Sequence, residues 1–357
     1  MQVLPSDLVE QVLAAAAAAE PLCIRAGGTK DFHGGPQQGR VLDPRGWQGI
    51  QAYEPSELYV TARAGTPLVA VEAQLASQRQ LLAFEPPHFG TGATVGGCVA
   101  AGLSGPRRFA SGVASGSLRD HVLGAQLLDG RGRVLRFGGT VIKNVAGYDV
   151  SRLLAGSLGQ LGVLLEITLK VLPAPEAECT LQFECSEAEA LSRLCQWRAR
   201  PLPISASLWK GGNLWLRLSG AAAALRPACS QLGGERIPDQ EGAMLWQDLR
   251  EHRLPELAAP GTLWRIGVPE AAPPLELAGV QLIEGGGLRW LASDLPQPLI
   301  QARAQALGGH VMRFRGGDRG AAPFATLSAP LLAIHRRLKD EFDPARIFNR
   351  GRMHPAL

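Results

Sequence analysis

Three glycine-rich stretches, in one order along the chain, constrain this sequence more than any other feature. They are Arg25-Ala-Gly-Gly-Thr-Lys-Asp-Phe-His-Gly34, Gly90-Thr-Gly-Ala-Thr-Val-Gly-Gly97 and Gly156-Ser-Leu-Gly-Gln-Leu-Gly162, the last preceded by Lys143-Asn-Val-Ala-Gly-Tyr-Asp149. Glycine turns through positive φ and lets a backbone approach a ligand closely. Successive exposed N–H groups in such turns form concave sites for phosphate oxygens. One such loop reads as a turn; three in this order read as one cofactor site assembled from separated pieces.

The first loop is neither of the common nucleotide loops. A Rossmann site wants G-x-G-x-x-G between a strand and a helix, but here the glycines come as the pair Gly27-Gly28, and Gly34-Gly35-Pro36 forbids a helix behind them. The P-loop pattern G-x-x-x-x-G-K-[ST] is absent. The residues predict a compact turn between two short strands, Leu22–Arg25 and Gly39–Asp43. In the second loop, Thr94 and the small residues after it predict a short helix whose N–H groups face an anion. Pro67 to Arg79 predicts a helix with Thr66-Pro67 as N-cap and first turn.

This order of motifs resembles the FAD-binding domain of the vanillyl-alcohol oxidase/p-cresol methylhydroxylase-type flavoproteins. Within that family the chain resembles the E-type FAD-binding subunits of bacterial glycolate oxidase. The resemblance covers residues 22–173 and the tail Glu341-Phe-Asp-Pro-Ala-Arg-Ile-Phe-Asn-Arg-Gly-Arg-Met353. That tail is similar to a closing D-P-x-x-x-F-N-P-G segment, with Arg350 where proline is usual. The resemblance implies that Arg25, Ala26, Gly27, Gly28, Thr29, Lys30 and Asp31 wrap the FAD diphosphate. It further implies that Gly90, Thr91, Gly92, Ala93, Thr94, Gly96 and Gly97 line the diphosphate and the flavin edge, with Gly102 and Ser104 continuing that wall. Gly156, Ser157, Gly162 and Val163 would sit by the cofactor through backbone groups, and Asn349 would reach it from the C-terminal end.

Two departures from the wider family bear on chemistry. Members with covalent flavin often carry His directly after the Gly-Gly pair; Thr29 stands there, so non-covalent FAD is expected. His33, four residues on, is expected to support the turn. Hydroxy-acid dehydrogenases of the family carry a histidine-rich metal motif. Residues 174–340 hold His252, His310 and His335, none at ligand spacing, and Asp318 has no histidine beside it. No general base for a 2-hydroxy acid is evident, and no metal site is expected. The six cysteines (Cys23, Cys98, Cys179, Cys185, Cys195 and Cys229) contain no C-x-x-C and no iron–sulfur ligand set. Cys179, Cys185 and Cys195 are expected in strand and helix interiors.

The implied role is therefore an oxidoreductase subunit that is not itself the hydroxy-acid-oxidising one. It would support oxidation of glycolate to glyoxylate with a related FAD-containing catalytic subunit and an iron–sulfur subunit as partners. Two other readings stay open: a stand-alone FAD-dependent oxidoreductase with its substrate site between cap and flavin, and a structural assembly subunit with vestigial flavin binding.

A net charge of +4 is too mild to argue for nucleic acid, and no dense basic run occurs. Ser6 to Ala19 reads as a capped surface helix rather than a signal peptide. No apolar run approaches the roughly 20 residues that span a bilayer. The cytoplasm is the expected location, with partners able to hold the chain at the inner face of the membrane.

The expected fold class is α+β. A two-lobed FAD-binding domain of the p-cresol methylhydroxylase type spans residues 1–173, with lobes of about 1–60 and 61–173. An antiparallel, ferredoxin-like cap follows at 174–315, and 316–357 returns to the FAD domain. The cap rests on a β-α-β-β-α pattern: Thr180–Cys185, a helix Glu187–Arg198, a hairpin Ile204–Trp209 and Leu214–Leu218 around Gly211-Gly212, and a helix Ala221–Leu232. A weaker echo follows in Leu263–Val268, Gln281–Ile283, Leu288–Leu291, a helix Pro298–Leu307, and Val311–Phe314.

Six of the seven tryptophans fall in this cap: Trp197, Trp209, Trp215, Trp246, Trp264 and Trp290. A partner face predicts an exposed tryptophan cluster; ordinary packing predicts burial. Arg107 and Arg108 are read either as guanidinium groups beside the flavin or as a solvated loop. Lys143, Asn144 and Asp149 flank Tyr148 and would order the adenosine side or only tie the loop down. Arg313, Arg315 and Arg319 read as a loose basic cluster, either a docking surface or a solvated face.

Overall fold

The computed structural model describes residues 6–110, 116–140, 148–318 and 322–357. Within it the first glycine loop joins two short parallel strands, β1 (Leu22–Ile24) and β2 (Arg40–Leu42). They are preceded by α1 (Ser6–Ala17), which buries Leu8, Val12 and Ala15 at helical spacing. That helix stops short of the expected Ala19, which instead turns the chain through φ +51. The tail packs along the other edge of β1: the Leu22 N–H donates to Ile347 O at 2.7 Å and the Asn349 N–H to Leu22 O at 2.9 Å.

The next segment runs β3 (Ile50–Glu54), β4 (Tyr59–Arg63), α2 (Leu68–Ala76), β5 (Gln80–Leu81), α3 (Val95–Ala101), α4 (Leu118–His121), β6 (Val122–Leu128), β7 (Val134–Gly138), α5 (Val150–Leu153), β8 (Val163–Lys170) and β9 (Leu172–Pro173). Five of these strands form an antiparallel sheet in the order β3-β4-β8-β6-β7. The central strand β8 reads Val-Leu-Leu-Glu-Ile-Thr-Leu-Lys and is buried at six of its eight positions, because helices and tail cover both of its faces. α2 opens on Pro67 without a side-chain cap. Thr66, expected to help cap it, spends its hydroxyl on the Gly49 N–H at 2.8 Å. Asp149 does act as a cap, accepting from the Arg152 N–H, while Tyr148 is 95% exposed. Lys143 and Asn144 lie outside the described residues.

The remainder is β10 (Ala177–Glu184), α6 (Glu187–Arg198), β11 (Ile204–Lys210), β12 (Asn213–Gly220), α7 (Ala222–Leu232), β13 (Glu235–Arg236), α8 (Asp239–Arg250), α9 (Pro255–Ala258), β14 (Leu263–Gly267), β15 (Val280–Glu284), β16 (Leu288–Ala292), α10 (Gln297–Ala306), β17 (His310–Arg315) and α11 (Ala329–Phe342). Its strands make one eight-stranded sheet, ordered β13-β10-β12-β11-β15-β16-β14-β17. Each half has ferredoxin-like strand order, and the two are fused where β11 pairs antiparallel with β15. One end is the two-residue β13. At the other, the Arg313 N–H of β17 donates to Pro323 O at 2.8 Å, so a returning segment covers that edge.

Of the two readings of the cap tryptophans, ordinary packing is the one observed, and the exposed cluster of a partner face is not there. Trp197, Trp246, Trp264 and Trp290 are buried, and Trp209 and Trp215 are half-buried. The hairpin register puts Trp209 and Trp215 on opposite faces of the sheet, in two separate cores. The ring N–H groups of Trp209, Trp246, Trp264 and Trp290 are used internally, as when Trp246 Nε1 donates to Thr180 Oγ1 at 2.9 Å. These tryptophans are core residues. Two further expectations also change. Arg313 is buried rather than on a solvated face, with Arg319 outside the described residues. Cys195 is exposed on α6, whereas Cys179 and Cys185 are buried as expected.

Candidate functional site

The first and second glycine loops cross in contact, and the geometry requires glycine at both. A Cβ on Gly27 would lie 1.5 Å from Gly92 O, and one on Gly92 would lie 2.9 Å from Gly27 O. Gly28 takes φ +69, in the region L side chains avoid. The consequence is a run of unspent donors. Among the described residues, no protein acceptor takes the N–H groups of Gly27, Gly28, Thr29 or Lys30, nor those of Gly92 and Thr94. These loops line a cleft with about 830 Å³ of open space.

Fourteen of the residues singled out in the sequence line this cleft: Arg25, Ala26, Gly27, Gly28, Thr29, Lys30, Asp31, Gly92, Thr94, Gly96, Gly97, Gly162, Val163 and Asn349. Gly90, Thr91, Ala93, Gly102, Ser104, Gly156 and Ser157 do not. Their contacts explain this. Gly90 and Thr91 are exposed on the rim. Ala93 O accepts from the Leu68 N–H, joining the loop to α2. Gly102 ends α3 and rests on Gly156, whose N–H is spent on Val99 O; the Ser157 N–H goes to Leu154 O. Ser104 Oγ accepts from the Leu118 N–H at 2.8 Å. These residues brace the wall from behind.

α3 starts where expected, with Thr94 as its cap, but its first turn is not open to an anion. The Val95 N–H goes to Thr66 O, the Gly96 N–H to Ala64 O and the Gly97 N–H to Thr94 Oγ1. The free donors lie instead in the loop before it.

Charge inside the cleft is mainly positive. Arg25 pairs with Asp31 at 2.7 Å, and Asp31 also takes Gln37 Nε2 at 2.8 Å. Lys30 reaches back to His88 O at 3.2 Å, and burial lowers its pKa. Arg352, which the sequence reading missed, is buried and gives its guanidinium to the carbonyls of Asp31, His33 and Gly35. Asn349 is a clamp: Oδ1 accepts from the Ile24 N–H at 2.7 Å, and Nδ2 donates to Leu158 O at 2.6 Å. Behind it the buried Lys339 donates to Asp343, Gln160 O and Phe348 O. Free amides, three cations and walls from Ile24, Pro44 and Leu164 suit a diphosphate carrying flat rings. The chain's residues therefore fit FAD.

A second, smaller pocket, with about 310 Å³ of space counting open solvent but only about 10 Å³ of true cavity, lies where the 87–106 segment meets the eight-stranded sheet, lined by Ser104, His252, Arg265, Glu284, Trp290 and Phe314 among others. Trp290 Nε1 donates to Glu284 at 2.6 Å, and burial pushes the Glu284 carboxyl up to about 7. Burial and the neighbouring Arg108 bring Arg265 down to about 10, and burial brings His252 down to about 3. The sequence reading found no acid–base group here. These three come from separate segments that only the fold brings together. His33, expected to support the turn, is buried against Phe314 and Phe324, and burial lowers it to about 3.

The two regions are bolted together by charge. Glu85 accepts from the Arg107 N–H and from Arg217 Nη2, each at 2.9 Å, and Arg107 Nη2 also reaches Glu178 at 2.7 Å. Burial raises the Glu85 pKa, but Arg217 and Arg107 outweigh it and hold the carboxyl below its ordinary value. Arg107 is thus neither a flavin-edge cation nor a solvated loop residue. Arg108 lies over the Phe109 ring. No helix among the described residues is long and apolar enough to cross a membrane, and none of their His, Cys, Asp and Glu side chains form a metal-binding group.

Comparison with known proteins agrees with this geometry. Residues 5–138 match the model of an FAD binding domain. The chain is 50% identical to glycolate oxidase subunit GlcE of Escherichia coli (strain K12) over 351 residues, covering 98% of this chain and 97% of that protein. It is 33% identical to glycolate oxidase subunit GlcD of Bacillus subtilis (strain 168) over 132 residues, 37% of this chain and 27% of that one. Alkyldihydroxyacetonephosphate synthase shares the fold, with a TM-score of 0.66 over 97% of this chain and 75% of that one, at 14% identity. Half-identity along nearly its whole length, with an FAD binding domain at its head, makes this chain a member of the glycolate oxidase subunit GlcE family of FAD-binding oxidoreductase subunits.

Proposed function

We propose that the chain is the FAD-carrying E subunit of a glycolate oxidase complex. It would support oxidation of glycolate to glyoxylate beside a related FAD-containing catalytic subunit, with an iron–sulfur subunit as electron exit. The near full-length identity to GlcE carries this reading. The FAD-binding part is assigned to residues 1–173, the cap to 174–315 and the returning segment to 316–357. Bound FAD supplies a two-electron acceptor. The amides of Gly27 to Lys30 hold the diphosphate, Arg25, Lys30 and Arg352 offset its charge, and Asn349 fixes the distance between the walls. Thr29 presents a hydroxyl where a covalent link would need an imidazole, so the cofactor is held without a bond. The complex works in the cytoplasm, with peripheral membrane attachment through partners.

The test is anaerobic spectroscopy of the chain alone and of the chain with its co-purifying subunits. Glycolate is expected to bleach the flavin band of the complex but not of the isolated chain. Bleaching of the isolated chain at a catalytic rate would overturn this reading, and a colourless chain that still assembles would make it a structural subunit.

One observation favours the second reading, a stand-alone oxidoreductase: the Glu284 carboxyl and the Arg265 guanidinium line one cavity at the seam. A base and a carboxylate-binding cation are what hydroxy-acid oxidation needs. In that case Glu284→Gln abolishes bleaching of the isolated chain by glycolate.

A further inference from the structure

We propose that Cys179 and Cys229 are a modification site, a thiol pair that closes into an intramolecular disulfide when a peroxide is present. Their sulfurs lie 3.3 Å apart, and both thiols are free. Cys179 is buried on β10; Cys229 is half-buried on α7, which packs against that strand. A disulfide places its sulfurs about 2 Å apart. The sulfurs therefore need only a small approach.

The helix side can supply that movement. Pro227 lies inside α7 two residues before Cys229. It has no N–H to give, and its ring crowds the preceding turn, so the helix is loosened beside the thiol. The β10 side is held rigidly by its ladder to β12, in which Cys179 lies opposite Leu218.

The pair does not suit a metal. Two thiolates on tetrahedral zinc, with Zn–S near 2.3 Å, stand about 3.7 Å apart. Among the described residues, no third His, Cys, Asp or Glu completes a ligand group.

The order of events follows from access. Cys229 is the more exposed of the two, and burial, with the Cys229 thiol beside it, pushes Cys179 up to about 12, so Cys229 is oxidised first. The exposed guanidinium of Arg236 lies within electrostatic reach of both sulfurs. The Cys229 thiolate attacks one peroxide oxygen, the O–O bond breaks, and hydroxide leaves with the thiol proton as water. Cys179 sulfur then attacks the Cys229 sulfenic sulfur and gives up its proton. The second hydroxyl departs as water, leaving one S–S bond. Two thiols are oxidised and one peroxide is reduced to two waters. The bond would staple α7 to β10 and close the chain between residues 179 and 229.

Exposed Cys195 has no thiol beside it among the described residues and serves as the internal control. The reduced full-length chain is treated with hydrogen peroxide, denatured, alkylated and digested without reductant. The expected result is a Cys179–Cys229 linked peptide at peroxide doses that put a dimedone-reactive sulfenic acid on Cys195. In Cys179→Ser the linked peptide disappears and dimedone labels residue 229. If both residues are fully alkylated in the wild-type chain while Cys195 is labelled, the proposal is overturned. That comparison needs no variant, so misfolding of a serine substitution cannot obscure it.

Discussion

The backbones of Gly27 and Gly92 touch, so closely that a Cβ on the first would fall 1.5 Å from the carbonyl oxygen of the second. Two loops far apart in sequence thereby become one surface. The first loop closes its own turns only from Asp31 onward, through the Asp31 N–H to Gly28 O, and the N–H groups of Gly27 to Lys30 stay free for a ligand. The same contact exposes the site to a single methyl group.

Gly27→Ala must push the two loops apart. The expected outcome is loss of bound FAD, with affinity down by at least about tenfold, which is about 1.4 kcal/mol. The eight-stranded sheet has two cores built wholly from residues beyond 176 and should stay folded. Flavin absorbance per mole of purified protein and the far-ultraviolet circular dichroism check the two halves of this prediction. Retained stoichiometric flavin would count against the loop assignment.

Asn349→Ala strips the Ile24 N–H and the Leu158 carbonyl of their partners at once. Stranding each buried polar group costs about 1–3 kcal/mol. The variant should lose roughly 2–5 kcal/mol in urea unfolding, and it should also bind FAD more weakly because the clamp between the two walls is gone. Asn349→Asp retains the acceptor but not the donor, and should fall between the two.

Glu85→Ala leaves Arg107 and Arg217 facing an empty position at the seam. Removing one partner of a buried ion cluster costs about 3–5 kcal/mol, mostly from the cations left behind. A shift in the denaturation midpoint of that size is expected. A change below about 1 kcal/mol, the value of an exposed pair, would show that the cluster is solvated.

Stability should depend on pH with two opposing slopes. Glu284 has its carboxyl pushed up to about 7 by burial, so its contribution is fully present below the unfolded carboxylate value and is lost as pH rises through 7. Glu284→Gln removes that loss and should gain on the wild type by roughly 3 kcal/mol at most between about pH 4.5 and 8. His33, His121 and His252 behave in the opposite sense. Burial holds them neutral, at about 3, 4 and 3, so the unfolded chain takes up protons that the folded one refuses. Wild-type stability should fall as pH drops below about 6.5. Urea unfolding across pH for both proteins checks the pair of slopes.

What could be read in the sequence was local. The ladder of Ile204–Lys210 with Asn213–Gly220 follows from alternating residues around Gly211-Gly212, and α6 has its expected bounds because Ser186 caps it and Glu189 returns the bond. What escaped was set by distance. The fusion of the two half-sheets depends on β11 meeting β15, a pairing that no single segment announces. α8 escaped because one position of its buried stripe is Gly242, which looks like a break. α11 escaped because its buried face includes Lys339, whose acceptors lie on Gln160, Asp343 and Phe348. Arg352 escaped for the same reason: an arginine is expected outside unless its carbonyl partners are known. The acid–base pair at the seam, Glu284 and His252, needed the finished sheet to bring it to one place.

Among the described residues, the long sheet is only partly covered at its two ends. β13 is two exposed residues of opposite charge, and Pro323 occupies the outer rail of β17. A two-residue border strand and a flanked one are poor templates for an incoming chain. A subunit docking at these two borders would meet side chains and helix flanks first, and would gain few backbone hydrogen bonds there.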